Sequence, residues 1–447
     1  MRLSEFHVYG LFGLFDHRVP LNLDERITIL HAPNGFGKTV VLKLINAFFG
    51  GSLAAFREFE FESAQYHFDN GGVVIVEQVV RQYPSSRAGR EERGFVISYR
   101  GTGEEYYWDP SDDQGVVPPW RGIPSSSWER YLGFVERVST REWVDRRSGQ
   151  RLSIEELYNQ YGHLVPGRIH KPTRQPEWLE ELRSSIHCRL IETQRLLALD
   201  KLKSTSSEPS MTLTVRTYSS DLQNSIERLL AESATLSQSL DQTFPNRLLT
   251  RMADEEVPLS ESELRDRLSI LDQQRDRLAK VGLLDTAKDD TVISGTQFND
   301  ATRRILGEYV SDTEKKLSIY KDTLEKLELF LEIINSRFQF KNISVSRSGG
   351  FFFTDIKGRY LTPENLSSGE QHELVLIYEL LFRTKKDTLI LIDEPEISLH
   401  IAWQKRFIKD LRRIISLTDF DAFLSTHSPQ LIGKDMGLAV QLQRPTR

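Results

Sequence analysis

Asp393 and Glu394 stand side by side at the end of an apolar run, residues 389–392. Such a run is how a buried strand of a parallel sheet reads. Ligands of open α/β sheets bind beyond the carboxyl ends of strands. A carboxylate pair there suits Asp393 holding Mg²⁺ and Glu394 acting on a water. Far away in the sequence, strand-like residues 26–30 lead into His31-Ala32-Pro33-Asn34-Gly35-Phe36-Gly37-Lys38-Thr39 and an amphipathic helix to about residue 49. A glycine-rich loop between a strand and a helix N-terminus wraps phosphate in backbone N–H groups, aided by the helix dipole. Asn34, Gly35 and Gly37 are the loop positions, Lys38 is expected to reach the β- and γ-phosphates, and the Thr39 hydroxyl to ligate Mg²⁺. Ala32 stands where the first glycine of G-x-x-x-x-G-K-[ST] belongs, which predicts a slightly adjusted loop.

Two further features belong to the same chemistry. Ser368 and Gly369 precede a segment of helical apolar spacing, residues 371–382, and a helix N-terminus there can touch a phosphate. They have no lysine loop of their own, so they are expected to cap a phosphate bound by another copy. His427 follows a strand expected over 421–424 and, beside the carboxylates, reads as a sensor of the γ-phosphate.

The elements that must position these residues set the organisation. The 447 residues, 39% hydrophobic with a mean hydropathy of −0.41, suffice for two or three compact units. One cysteine, Cys188, excludes an internal disulfide and fits a reducing cytoplasm. No signal-peptide layout and no run of transmembrane length is present, so no membrane role is expected. A net charge of −6 argues against a broadly basic DNA-coating protein. DNA contact is possible only through local basic patches, within 81–94, 137–151 and 167–174, which read first as solvated surface.

In order along the chain, residues 2–23 read as one or two strands with turns at Gly10 and Gly13. Runs 73–83 and 95–108 add an antiparallel sheet. A helix over 177–185 precedes a strand that ends near Gln194, and 203–212 is linker-like. Long amphipathic helices follow, with Leu222, Ile226, Leu229, Leu236 and Leu240 on one face and Leu264, Leu268, Leu271 and Leu278 on another. Leu317, Tyr320, Leu324, Leu327, Leu331 and Ile334 keep three-four spacing through three heptads. A bundle packed on itself and a short hairpin coiled coil share this signature, with helices of about 30–50 Å. Strand character returns at 338–345 and 351–356. The resulting organisation is an α/β head in two parts, 1–203 and 339–447, with an antiparallel β subdomain and a helical insert, 204–338.

Taken together, these motifs resemble the ABC-type P-loop ATPase heads of the SMC, RecF and OLD families. APNGFGKT is similar to their Walker A, LSSGEQ to the signature motif, LILIDEP to Walker B with its catalytic glutamate, EISLH to the D-loop and STHS to the switch histidine. The resemblance implies ATP and Mg²⁺ as ligands, Glu394 and His427 as catalytic residues, and Gln194 as a Q-loop residue joining Thr39 and Asp393 at the metal. Ser368 replaces a glycine frequent in transporters, as is usual among SMC-like members. The insert tells against a transporter subunit. OLD-type nucleases continue into a Toprim domain, whereas only about twenty residues follow His427 here, too few for a domain. A nuclease is therefore expected on another chain. This layout resembles the AriA-like ATPases of PARIS anti-phage defence systems. It implies a homo-oligomer that holds a separate Toprim nuclease effector and releases it when a phage trigger protein is sensed. The alternatives are a RecF/SMC-like repair clamp acting on DNA and a scaffold in which ATP only glues subunits. Glu394 weighs against the last.

Overall fold

The computed structural model describes residues 1–50, 53–82, 91–100, 103–108, 128, 132, 134–138, 142–146, 151–153, 156–157, 161, 176–193, 195–199, 211–253, 257–285, 298–362, 365–397 and 399–442. They form two compact units. One joins Met1–Thr212 to Thr384–Arg447, and the other is Leu213–Arg383.

The first unit is built on a parallel five-stranded sheet. Its strands lie in the order His187–Ile191, Thr388–Asp393, Asp421–Thr426, Ile27–His31, Ala439–Gln441. The three central strands are apolar almost throughout, because both faces of a parallel sheet are covered. The register puts Asp393 beside Ser425, Ser425 beside Leu30, and Thr426 beside His31, so the candidate residues emerge at one edge. A six-stranded antiparallel sheet contributes the strands Leu3–Leu11, Phe15–Pro20, Ser63–Phe68, Val73–Gln82, Glu91–Tyr99 and Glu104–Trp108. The helix Lys38–Phe49 shares one core with both sheets. Val41, Leu42, Leu44, Ile45 and Phe48 meet Phe6, Val8 and Tyr66 of one, and Leu30, Leu391 and Phe423 of the other. The Tyr66 hydroxyl donates to the Leu44 carbonyl at 2.9 Å, which fixes the rotation of the helix. Arg183, in the helix Glu177–Ser184, donates to the Phe48 carbonyl at 2.6 Å and so satisfies the other helix end.

In the stretch 137–151, expected as solvated basic surface, Arg137, Arg146 and Arg151 are exposed and Arg146 pairs with Glu136 at 2.9 Å. The same stretch also forms a small hairpin system. Strands Val135–Arg137, Glu142–Asp145 and Arg151–Ser153 pair around buried Trp143 and Trp128. Its arginines mask alternating apolar positions that pack inward.

The second unit carries the helices Thr214–Ala253, Glu261–Lys280, Asp300–Ser318 and Lys321–Arg337, a three-stranded antiparallel sheet, and the helix Ser368–Tyr378. Leu264, Leu271, Phe298 and Val310 form a small core of their own, so the insert is a packed bundle here. The 317–334 seam expected as one helix is divided. Asp300–Ser318 ends at Ile319, and the next helix starts after Tyr320. Both linking residues keep right-handed helical angles, which is why the apolar spacing runs on across the boundary. The strands Lys341–Ser346 and Gly350–Asp355 turn at Gly350, where φ is +65° and a Cβ would stand 2.1 Å from the Ser219 carbonyl oxygen. Sheet order and helix placement together make this a mixed α/β fold with an antiparallel β subdomain and a helical insertion.

Candidate nucleotide-binding and hydrolysis site

The phosphate loop begins where the strand Ile27–His31 ends. Gly35 and Gly37 take φ of +84° and +83°, a region open to glycine at little cost. Gly37 is doubly constrained, since a Cβ there would meet Leu11 Cδ2 at 2.5 Å. Ala32 needs no such backbone; its side chain is buried and its carbonyl turns inward, so alanine serves where the motif has glycine. A residue outside every motif supports the loop. His17 is buried, stacks on Phe15 at 5.4 Å, and its Nε2 donates to the Phe36 carbonyl at 2.9 Å. Burial pushes its ring below the ordinary histidine value, partly opposed by that hydrogen bond.

Lys38 is 4% exposed, and its ammonium is fully engaged. It donates to the carbonyls of Ala32 at 2.8 Å and Pro33 at 3.1 Å, and to His427 Nδ1 at 3.1 Å. Burial lowers its pKa, while Glu394, Asp393 and Glu396 pull it back up. The His427 Nε2 contacts Glu394 Oε1 at 2.8 Å. A lysine on Nδ1 and a carboxylate on Nε2 assign the imidazole proton to Nε2. His427 therefore bridges the loop lysine and the second carboxylate.

The Thr39 hydroxyl lies 3.1 Å from both oxygens of Asp393, and the Ser425 hydroxyl donates to the same carboxylate at 2.5 Å. Glu394 follows with φ of +44°, uncommon for a side chain of this size, and its N–H donates to the Ser425 carbonyl at 3.1 Å. This backbone turn directs Glu394 to His427 while Asp393 faces Thr39. Glu396, two residues on, opens the EISLH stretch and is given no role of its own by the sequence. Its Oε1 accepts from Thr426 Oγ1 at 2.6 Å, His427 N at 2.7 Å and Ser428 N at 3.1 Å.

The hard oxygens of Thr39 and Asp393, brought together at one loop, fit Mg²⁺. Among the described residues no group of three or more His, Cys, Asp or Glu side chains could cage a metal. That suits an ion that takes one or two carboxylates and completes its shell with water and substrate phosphates. Gln194, expected as a further ligand, lies outside the described residues. Its neighbour Thr193 donates to the Asp393 carbonyl at 3.4 Å.

In the second unit, Ser368 and Gly369 occupy the first turn of Ser368–Tyr378, so the helix begins three residues earlier than its apolar spacing suggests. Ser367 is the cap: its hydroxyl accepts from Glu370 N at 3.4 Å, and the Glu370 carboxylate accepts from Ser367 N at 2.7 Å. Lys341 holds the same carboxylate at 2.6 Å, and a buried Arg337–Glu373 ion pair anchors the next turn. Ser368 itself is exposed. The structure thus brings Lys38, Thr39, Asp393, Glu394 and His427 together in the first unit, with Asn34, Gly35 and Gly37 in the same loop.

Residues 227–433 match the family model described as "AAA domain, putative AbiEii toxin, Type IV TA system". The match spans most of the insert, the Ser368 helix and the Asp393–Glu394 strand, and does not reach the phosphate loop. No curated protein matches the chain. Among solved structures it is similar to an Smc head domain with an extended coiled coil from Pyrococcus furiosus, bound to the C-terminal domain of ScpA. Identity there is 14%, coverage 98% of this chain and 92% of that one, and the TM-score 0.36. For the SMC head domain from Thermotoga maritima the values are 12%, 98%, 92% and 0.31. For an Smc head domain with coiled coil and joint from Pyrococcus yayanosii they are 14%, 99%, 95% and 0.34. TM-scores this low carry no argument. The domain match, which covers a little under half of the chain, supports an ATPase of the AAA type.

Proposed function

We propose that the chain hydrolyses ATP to ADP and phosphate and uses that cycle to control a separate effector. The observation that carries the first part is the convergence of Lys38, Thr39, Asp393, Glu394 and His427 within hydrogen-bond distance at one sheet edge. The loop N–H groups of residues 34–39 hold the phosphates, and Lys38 exchanges its Ala32 and Pro33 partners for phosphate oxygens. Thr39 and Asp393 hold Mg²⁺, which supplies charge neutralisation at the phosphates. Glu394 accepts a proton from the attacking water as its oxygen bonds to the γ-phosphorus and the bond to the ADP oxygen breaks. His427 holds Glu394 and senses the γ-phosphate from its place beside Lys38.

The second part rests on the resemblance to PARIS-type ATPases: a homo-oligomer carrying a Toprim nuclease, released when a phage trigger protein binds. The matched family model, whose description names a toxin–antitoxin system, sits comfortably with a role of that kind. A RecF- or SMC-like clamp would instead show ATP hydrolysis stimulated by DNA.

The test compares two variants of the full chain. Lys38→Ala removes the phosphate contact and should weaken ATP binding at least about tenfold. Glu394→Gln should keep ATP bound and lower kcat by roughly a hundredfold or more. Parental hydrolysis by purified Glu394→Gln would overturn the assignment.

A further inference from the structure

Glu396, two residues beyond Glu394, gathers three hydrogen bonds on one oxygen. All three donors come from consecutive residues, Thr426, His427 and Ser428, at the point where the strand Asp421–Thr426 gives way to a loop. Two of them are backbone N–H groups that the sheet no longer pairs, and Thr426 is fully buried. Bonds to an ionised acceptor are about twice as strong as neutral ones. A second layer backs the first. The Ser428 hydroxyl donates to Gln404 Oε1 at 2.7 Å, and Gln404 Nε2 donates to the Leu399 carbonyl at 3.0 Å. The turn carrying Glu396 is itself closed, with Ile397 N on the Glu394 carbonyl at 3.1 Å and Leu399 N on the Glu396 carbonyl at 2.9 Å.

We propose that Glu396 is a positioning residue for hydrolysis: it clamps the Thr426–Ser428 backbone so that the His427 ring bridges Lys38 and Glu394. The inference rests on the ATPase reading above and specifies how its histidine is held. Glu394 and Glu396 then divide the work on one short turn. The first meets the ring of His427, and the second meets its backbone. The other oxygen of Glu396 is buried and has no hydrogen-bond partner among the described residues. A glutamine at this position therefore keeps an oxygen for the loop but buries an unmatched amide N–H₂.

The experiment measures steady-state ATP hydrolysis and binding of a fluorescent ATP analogue for the parent, Glu396→Ala, Glu396→Gln, His427→Ala and the double variant Glu396→Ala/His427→Ala. Misplacing a reacting group by about an ångström can cost on the order of a hundredfold, so Glu396→Ala should lose about 10- to 100-fold in kcat, with KM and analogue affinity within about twofold. Glu396→Gln should recover part of that loss. A residue acting through His427 adds nothing once His427 is gone, so the double variant should match His427→Ala within about twofold. Multiplying losses in the double variant, or parental kcat in folded Glu396→Ala, would overturn the positioning role. A parent that binds the analogue and does not hydrolyse ATP would instead sink the ATPase reading, an outcome separate from either. Should Glu396→Ala fail to fold, Glu396→Gln alone and in the His427→Ala background applies the same criterion.

Discussion

His17 shows how much of a nucleotide loop can depend on one side chain remote from its motif. Its ring is buried between the hairpin and the loop, with Nε2 committed to the Phe36 carbonyl and Nδ1 without a hydrogen-bond partner among the described residues. Burial disfavours a second proton on the ring and lowers its pKa, with the Phe36 carbonyl and Asp16 opposing in part. His67 is lowered in the same direction, first by burial and then by His7. The sign follows from which state binds the proton first. An unfolded histidine titrates near pH 6.5, above the depressed value of the fold. Stability contributed by the neutral ring is present above about pH 6.5 and is lost as pH falls through the folded value. His17→Gln keeps a donor for Phe36 and removes the titration. The parent should thus lose more stability than His17→Gln between pH 7.5 and pH 5.5, read as the shift in urea midpoint. Equal shifts in the two proteins would exclude His17 as a source of acid sensitivity.

Elements differ in how far their sequences declare them. The strand Thr388–Asp393 and the loop before Lys38 are contiguous patterns, each complete within about ten residues, so local reading finds them. Glu396 and Ser425 open the EISLH and STHS stretches, yet their partners reach them through sheet register, and His17 acts through a hairpin contact; no local pattern encodes those pairings. The helices fall in between. Apolar spacing locates them, but it passes unbroken through Ile319 and Tyr320, and only Tyr320 as a new cap divides them. What joins Thr214–Ala253 to Asp300–Ser318 is also non-local. Arg247 donates to both oxygens of Asp312 at 2.6 Å and also pairs with Glu308, while Arg251 reaches Glu308 at 2.7 Å. Glu308 and Asp312 are 6% and 5% exposed. Arg247→Ala leaves the Asp312 carboxylate buried, with Lys315 at 3.7 Å and the charge of Lys316 as weaker substitutes. Orphaning such an acceptor should cost about 1–3 kcal/mol. A second change, Asp312→Leu in that background, should regain most of it, since an apolar pair can replace a buried ion pair at little cost. Denaturant midpoints of the two variants check this, and an unchanged midpoint for Arg247→Ala would show that the network contributes nothing.

At the scale of the whole molecule, the candidate phosphate-binding features are split between units with unequal equipment. The first unit has a strand, a glycine loop, Lys38 and the carboxylates. The second offers only the exposed first turn at Ser368 and Gly369, with its cap satisfied by Ser367 and Glu370 and no lysine loop of its own. Helix N-terminal N–H groups favour an anion, but an isolated turn does not hold a nucleotide. We expect the Ser368 turn of one copy to face the nucleotide on Lys38 of another, so that ATP closes a symmetric pair with two composite sites. Lys38→Ala and Ser368→Arg should each abolish hydrolysis alone. In a mixed dimer one site collects both lesions and the other is intact. Random pairing in an equal mixture should therefore restore about a quarter of parental activity. Both variants are purified with distinguishable tags, mixed with ATP, and assayed after tandem-tag capture verifies mixed oligomers. Recovery near a quarter supports shared sites, and verified mixed oligomers with no recovery would mean that each site is completed within a single chain.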